Sequence, residues 1–258
     1  MKSRLLISLL FILIAYTAIS QSPRISSLPT KRSIGKNLLK MNLTGFMIRN
    51  YSFQAERLLS KRFSLAVAYR TMPEGILPFS KQLTAATGAG GSGVKNNMEE
   101  MVMANTALTP EVRIYFGKKG YGRGFYMAPF YRISDYSVKN AMINFNNSTN
   151  AISELSISGK VHATTYGLLL GAQWNLGSKV VLDWWMIGPQ YGSATGQLNG
   201  VPGTPLTGIE MENLNDALGK INIPFTQTRT EVTPSKATLV MDGPWAGIRT
   251  GIVFGVRF

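Results

Sequence analysis

The chain has 258 residues with 27 Lys and Arg against 13 Asp and Glu, a formal charge of +14, one His and no Cys. The absence of cysteine excludes a disulfide framework, a thiol nucleophile, a Cys-type metal site and an acylated lipoprotein anchor, and a single His excludes a multi-His zinc site. A mean hydropathy of +0.04 with 16% charged residues argues against a disordered chain, and past residue 20 no apolar run approaches the ~18 residues of a membrane helix.

Residues 1–20 are laid out as a secretory signal. Lys2 and Arg4 precede an apolar run from Leu5 to about Tyr16, and Ala18-Ile19-Ser20 has the small-x-small form of a cleavage site. The predicted mature start is Gln21. A retained anchor is the weaker reading, because Leu5 to Ile19 is broken by Ser8 and Thr17 and falls short of the ~20 residues of a spanning helix. Without Lys2 and Arg4, 25 basic residues stand against 13 acidic ones, a net charge of +12. Residues 21–35 are polar, contain proline and lack periodicity, which predicts a flexible periplasmic lead-in before a barrel domain at 36–258.

From residue 36 the pattern has period two. Leu39, Met41, Leu43 and Met47 alternate with Lys40, Asn42 and Thr44, and a shorter strand is expected at about 52–59. Phe63, Leu65, Val67 and Tyr69 then alternate with Ser64, Ala66, Ala68 and Arg70, and Leu108, Pro110, Val112, Ile114 and Phe116 with Thr109, Glu111, Arg113 and Tyr115. Phe125, Met127, Tyr131 and Ile133 oppose Tyr126, Ala128, Arg132 and Ser134, while Tyr166, Leu168, Leu170, Ala172 and Trp174 oppose Thr165, Gly167, Leu169, Gly171 and Gln173. Val180, Leu182, Trp184 and Met186 stand against Val181, Asp183, Trp185 and Ile187. From Ala246 to Phe258 the even positions are mostly large and apolar and the odd ones mainly Gly or Arg. Eight strands result.

The connections expected between them are short near 50 and 60, long at 73–106, short at 117–122, long at 139–158, short at 175–178 and long at 192–243. All but the first hairpin follow the rule of outer-membrane barrels, short periplasmic turns against long outer loops, with both termini periplasmic. Trp174 and Trp184 flank one short turn, and Tyr121, Phe125 and Tyr126 another, where an aromatic girdle would lie. The run TGAGGSG (87–93) lacks the following Gly-Lys-Ser/Thr of a phosphate loop and reads as flexible linker. Thr207 and Glu210 have capping-box spacing before Met211, Leu214 and Leu218, with Gly219 as a stop, which predicts a short amphipathic helix within the last loop.

A soluble sandwich also alternates, so a periplasmic β-sandwich binding protein is the structural runner-up. The C-terminal strand, with Ile252, Phe254 and Val256 leading to Phe258, resembles the signal by which the barrel-assembly machinery recognises outer-membrane proteins. Segments 36–70, 122–137, 182–192 and 242–258 resemble an uncharacterised family of small outer-membrane β-barrels common in Bacteroidota, related in architecture to the eight-stranded OmpA and OmpX barrels. The resemblance implies an all-β, eight-stranded, antiparallel up-and-down transmembrane barrel in the outer membrane. It carries no activity, catalytic motif or cofactor.

An eight-stranded barrel is just wide enough for its inward side chains to fill it. Glu56, Glu111 and Asp183 are expected to pair inside with Arg70, Arg113, Arg132, Arg249 and Arg257, as packing rather than as an ion pathway. Some small outer-membrane barrels are lipid-A acyltransferases or deacylases, which draws attention to His162, Ser134 and Asp135 near outer strand ends. His162 shares parity with the lipid-facing Tyr166 and Leu168, so an incidental role is expected. Ten basic residues of the mature chain lie between Arg24 and Arg70 against one acid, Glu56. The expected partners are therefore outer-membrane lipid and lipopolysaccharide, the assembly machinery and an unidentified surface ligand, not nucleic acid. The expected function is non-enzymatic, with loops serving surface interaction or envelope integrity; a lipid-A-modifying enzyme and a small pore are the alternatives.

Overall fold

A computed structural model describes residues 35–76, 101–118, 120–221 and 227–258. The signal-like segment, the lead-in up to residue 34 and the 87–93 glycine run lie outside the described residues.

One antiparallel sheet contains β1 (Asn37–Asn42), β2 (Tyr51–Leu58), β3 (Phe63–Ile76), β4 (Val102–Tyr115), β5 (Gly124–Asn146), β6 (Ile152–Leu176), β7 (Val180–Gly200), β8 (Gln227–Thr233) and β9 (Lys236–Arg257). Sequential neighbours pair through β7, β7 pairs with β9, and β9 pairs with β1, which closes a ring. The expected count of eight is corrected to nine. β8 forms a hairpin on the Lys236–Asp242 end of β9, along the same edge that β1 borders at Val253–Arg257.

Two short helices complete the described chain, α1 (Leu43–Phe46) and α2 (Gly208–Gly219). The expected strand reaching Met47 is corrected by α1. Asn42 ends β1 because its Oδ1 accepts from Gly45 N at 3.3 Å and Thr44 Oγ1 at 2.7 Å, satisfying groups a helix start leaves free. β1 thus spans about 20 Å at ~3.3 Å per residue, against roughly 80 Å for the 25 residues of β6. The wall of the ring is low at β1 and β2 and tall at β5, β6, β7 and β9.

A register row of tyrosines divides the tall wall. Tyr131 pairs with Tyr166, their rings 4.9 Å apart, and Tyr166 pairs with Tyr191. Toward the tight turns, the outward side chains are apolar: Leu65, Val67, Leu108, Leu168, Leu170, Ile252 and Phe254 are all exposed. The inward ones there are polar, with Lys40, Gln54, Glu56, Glu111, Arg113, Gln173 and Asp183 buried. Beyond the tyrosines the polarity inverts. His162, Thr195, Ser193 and Gln197 face out, while Ile143, Leu155, Ile157, Val161, Ala194, Leu198 and Leu239 form an inner apolar core. At the other end of the outward belt, Trp174 and Trp184 are exposed beside the turn 177–179, and Phe125 lies across from Ala172. Tyr166 and Trp174 lie eight residues apart on β6, roughly 26 Å along a strand and about 20 Å across a layer at ordinary barrel tilt.

The inversion explains where expected loops are corrected to strand. Residues 139–146, 152–158, 192–200, 227–233 and 236–243 are extended, as the upper parts of β5, β6, β7 and β9 and as β8. Their polar outward positions and Gly192, Gly196 and Gly200 read as loop when apolar-outward alternation is the criterion. A bulge between Trp185 and Gly188 corrects the parity of Ile187, which faces out beside Met186. Tyr126 is corrected from girdle to interior, and Tyr121 packs on Leu38, Leu58 and Val181 at the base of the ring.

The expected helix is present with its capping box. Glu210 N donates to Thr207 Oγ1 at 3.4 Å, and Thr207 N donates to Glu210 Oε2 at 2.9 Å. The Thr207 N–H is the main cause holding the Glu210 carboxyl below its ordinary range; this lowered group lends α2 stability at neutral pH that is lost as pH falls through its folded value. Leu214 and Leu218 are fully buried in the upper core, so α2 roofs the wide end of the ring. Asn213 Nδ2 fastens it to Asn146 O at 2.9 Å. Thr207→Ala should weaken the helix by about 1 kcal/mol, measured as faster amide exchange over residues 208–219 with unchanged exchange in β6.

Candidate functional site

The lower lumen is filled by a closed ion-pair network. Lys40 on β1 donates to Glu56 on β2 and to Asp183 Oδ2 on β7 at 2.8 Å. Arg113 on β4 reaches Asp183 Oδ2 at 2.6 Å, Glu111 Oε1 at 2.5 Å and Glu56 Oε2 at 3.3 Å. Arg249 on β9 closes it through Glu111 Oε2. The carboxylate oxygens take further donors, from Tyr115 Oη to Glu56 at 2.7 Å, Tyr126 Oη to Asp183 at 2.7 Å, and Gln54 Nε2 to Glu111 at 2.9 Å. Three carboxylates therefore meet three cations, with side chains at most 4% exposed. Such a set holds together because every charge is paired and hydrogen-bonded.

Small inward residues make the room. β3 presents Ser64, Ala66 and Ala68 to the lumen. At Gly171 a Cβ would lie 2.4 Å from Tyr126 Oη, and at Gly255 one would lie 2.6 Å from Lys40 Cγ. The alternation of glycine with long polar side chains is thus a packing match across neighbouring strands.

Five of the eight expected network residues meet in this cluster: Glu56, Glu111, Arg113, Asp183 and Arg249. The other three are corrected. Arg257 lies at the base, where its Nη2 donates to Tyr121 O at 3.0 Å. Arg70 donates to Asn105 Oδ1, and Arg132 Nε to Thr109 Oγ1 at 3.0 Å, and neither has a carboxylate partner among the described residues. Lys40, absent from the expected set, is the third cation; its alternation with Leu39 and Met41 places it inside. The expected assembly residues Ile252, Phe254, Val256 and Phe258 all project outward from β9 or its end.

The base of the lumen is covered. The turn 116–123 tucks Gly122 against Gln173, whose Nε2 donates to Gly122 O at 2.8 Å; Gly122 has φ +70, where a side chain would be strained. Around this end Lys36, Arg57, Lys61, Arg62, Lys118 and Lys179 are exposed. The exposed acids among the described residues, including Glu74, Asp135, Glu154, Glu212, Asp216, Glu231 and Asp242, belong to the opposite half. The base is thus cationic, whereas the opposite half mixes its acids with the exposed Lys139, Lys160, Lys220 and Lys236.

His162 Nδ1 and Asp135 Oδ1 are 2.8 Å apart on the outer face, four residues along each strand above the tyrosine row. Ser134 points the other way and is 3% exposed, because adjacent strand residues face opposite sides. The hydroxyl therefore does not join the His–Asp pair. At the wide end an apolar cavity of about 290 Å³ is lined by Met103, Tyr136, Val138, Leu198, Met241 and Trp245 among others. Its lining carries no charged side chain, so a guest there would be held by shape and apolar contact.

Comparison with protein-family models, curated proteins and solved structures returns no match.

Proposed function

We propose that the protein is a non-enzymatic, integral outer-membrane β-barrel whose lumen is sealed along its axis and whose outer end serves surface interaction or envelope integrity. The carrying observation is the polarity inversion at the tyrosine row: apolar outside and charged inside below it, the reverse above it. A water-soluble sandwich has no reason to expose Leu65, Val67, Leu168, Leu170 and Ile252 around one continuous belt. A membrane barrel needs such a belt, edged by aromatic residues. The upper part then stands in water with its own apolar core under α2. The resemblance of the C-terminal strand to an assembly signal agrees with this reading.

The filled network and the covered base favour a closed barrel over a pore. In this orientation the cationic rim lies on the periplasmic side, where it suits the anionic headgroups of the inner leaflet. Purified protein refolded into vesicles should migrate faster on gels before heating than after, and should give no steady unitary current in planar bilayers. Extraction without detergent and a migration indifferent to heat would overturn the membrane reading; a stable large conductance would overturn the sealed lumen.

A further inference from the structure

The ring has a side opening. β9 is bordered by β1 only from Val253 onward and by β8 only up to Asp242, so between those residues this edge has no strand partner among the described residues. α1 and the turn after it stand beside the gap, touching β9 through Ile252 N and Thr44 Oγ1 at 3.4 Å. A cavity of about 390 Å³ runs from this seam into the lumen. Its mouth carries Ile48 and Ile248, exposed by 46% and 69% on the outer face, and its floor carries Arg70, Arg132 and Arg249.

Among the described residues the floor has more positive charge than is neutralised. Lys40, Arg113 and Arg249 balance Glu56, Glu111 and Asp183, three against three, which leaves Arg70 and Arg132 with no described carboxylate partner. Arg132 is 5% exposed and Arg249 4%. Arg249 Nε and Nη2 and Arg70 Nε are buried with no hydrogen-bond partner, although Arg249 lies flat on Trp185, 3.9 Å from its ring centroid. Buried guanidinium groups with unused N–H donors are costly unless an anion answers them.

We propose that this cavity is an oxyanion site that takes a phosphate group, with Arg70, Arg132 and Arg249 as its donors. Guanidinium groups suit phosphate because their planar N–H pairs match two oxygens at once. The exposed isoleucines at the mouth point to a phosphate carried on an acyl-chain lipid, whose tails stay outside the wall while the headgroup enters sideways. Side entry rests on the membrane-barrel reading; the oxyanion site does not.

The test is calorimetric titration of the detergent-purified full chain with inorganic phosphate, short-chain phosphatidic acid and phosphatidylcholine of equal chain length. Phosphatidic acid should bind, phosphatidylcholine should bind far less, and Arg132→Gln should weaken the acid about tenfold or more, the scale of one charge-assisted hydrogen bond. Ile248→Trp, on the outer lip, should weaken phosphatidic acid and leave inorganic phosphate unchanged. Arg132→Gln breaks no ion pair, so its fold should persist, as unchanged gel mobility before heating would record. Binding of both ligands with no effect of Ile248→Trp on phosphatidic acid would uphold the oxyanion site and overturn side entry. No binding of either, or equal binding by Arg132→Gln, would overturn the site itself.

Discussion

Arg113→Met should remove about 3–5 kcal/mol of stability, the usual cost of stripping one partner from a buried ion network. The substitution keeps much of the side-chain volume, so lost packing contributes little. What it leaves behind is charge. Glu56, Glu111 and Asp183 would face only Lys40 and Arg249, and Gln54 Oε1 would lose its donor. Folded proteins commonly hold only about 5–15 kcal/mol in all, so the variant should refold poorly and lose its fast-migrating form at lower temperature. The double substitution Arg113→Met with Asp183→Leu should recover most of the loss. Glu56 then keeps Lys40, Glu111 keeps Arg249, and no carboxylate lacks a cation. Recovery should be incomplete, because Tyr126 Oη and Trp185 Nε1 lose the acceptor they share in Asp183. Urea unfolding of the two variants and of Asp183→Leu alone, as a double-mutant cycle, gives the coupling. Additive losses would mean that the charges do not act as one network.

Most of the lower ring was legible because one physical rule governs it. Where lipid or exposed apolar surface lies outside and a crowded polar interior lies within, alternation names the face of every residue. Parity alone places Glu111, Arg113, Asp183 and Arg249 inside, and their pairing, with Glu56, follows from the cost of isolated charge. Parity cannot give height along the axis, so Arg70, Arg132 and Arg257 were assigned to the same network, though two lie above it and one below. Beyond the tyrosine row the rule reverses. There Leu155, Ile157 and Val161 face inward and His162, Thr195 and Gln197 outward, which to an apolar-outward criterion is loop. The helix within that region was still found, since a capping box and an i, i+3, i+7 stripe are local signals independent of which solvent lies outside. The lateral gap was not legible. It depends on β1 ending at Asn42 while β9 runs on beyond its partner Val253, a comparison of strand lengths between opposite ends of the barrel sequence.

Leu170→Arg and Thr195→Arg should separate sharply, and the contrast tests the belt directly. Both positions face out of the sheet, and both side chains are exposed to whatever surrounds the protein, Leu170 by 44%. Leu170 lies midway between Tyr166 and Trp174 on β6, and Thr195 pairs with His162 above the tyrosine row. If the belt meets lipid, an arginine at its midplane costs about 2–4 kcal/mol, whereas one above the girdle costs close to nothing. Thr195→Arg would even lie across the pair from Asp242, a surface contact worth at most about 1 kcal/mol. If water surrounds the belt instead, the order reverses: Leu170→Arg removes an exposed leucine from an apolar patch, which should be neutral for folding and favourable for solubility. Unfolding of both variants in lipid vesicles measures the difference, with Leu170→Arg expected to be the less stable by at least about 2 kcal/mol. Equal stability, or better solubility of Leu170→Arg without detergent, would assign the exposed belt to contact with another protein rather than with a bilayer.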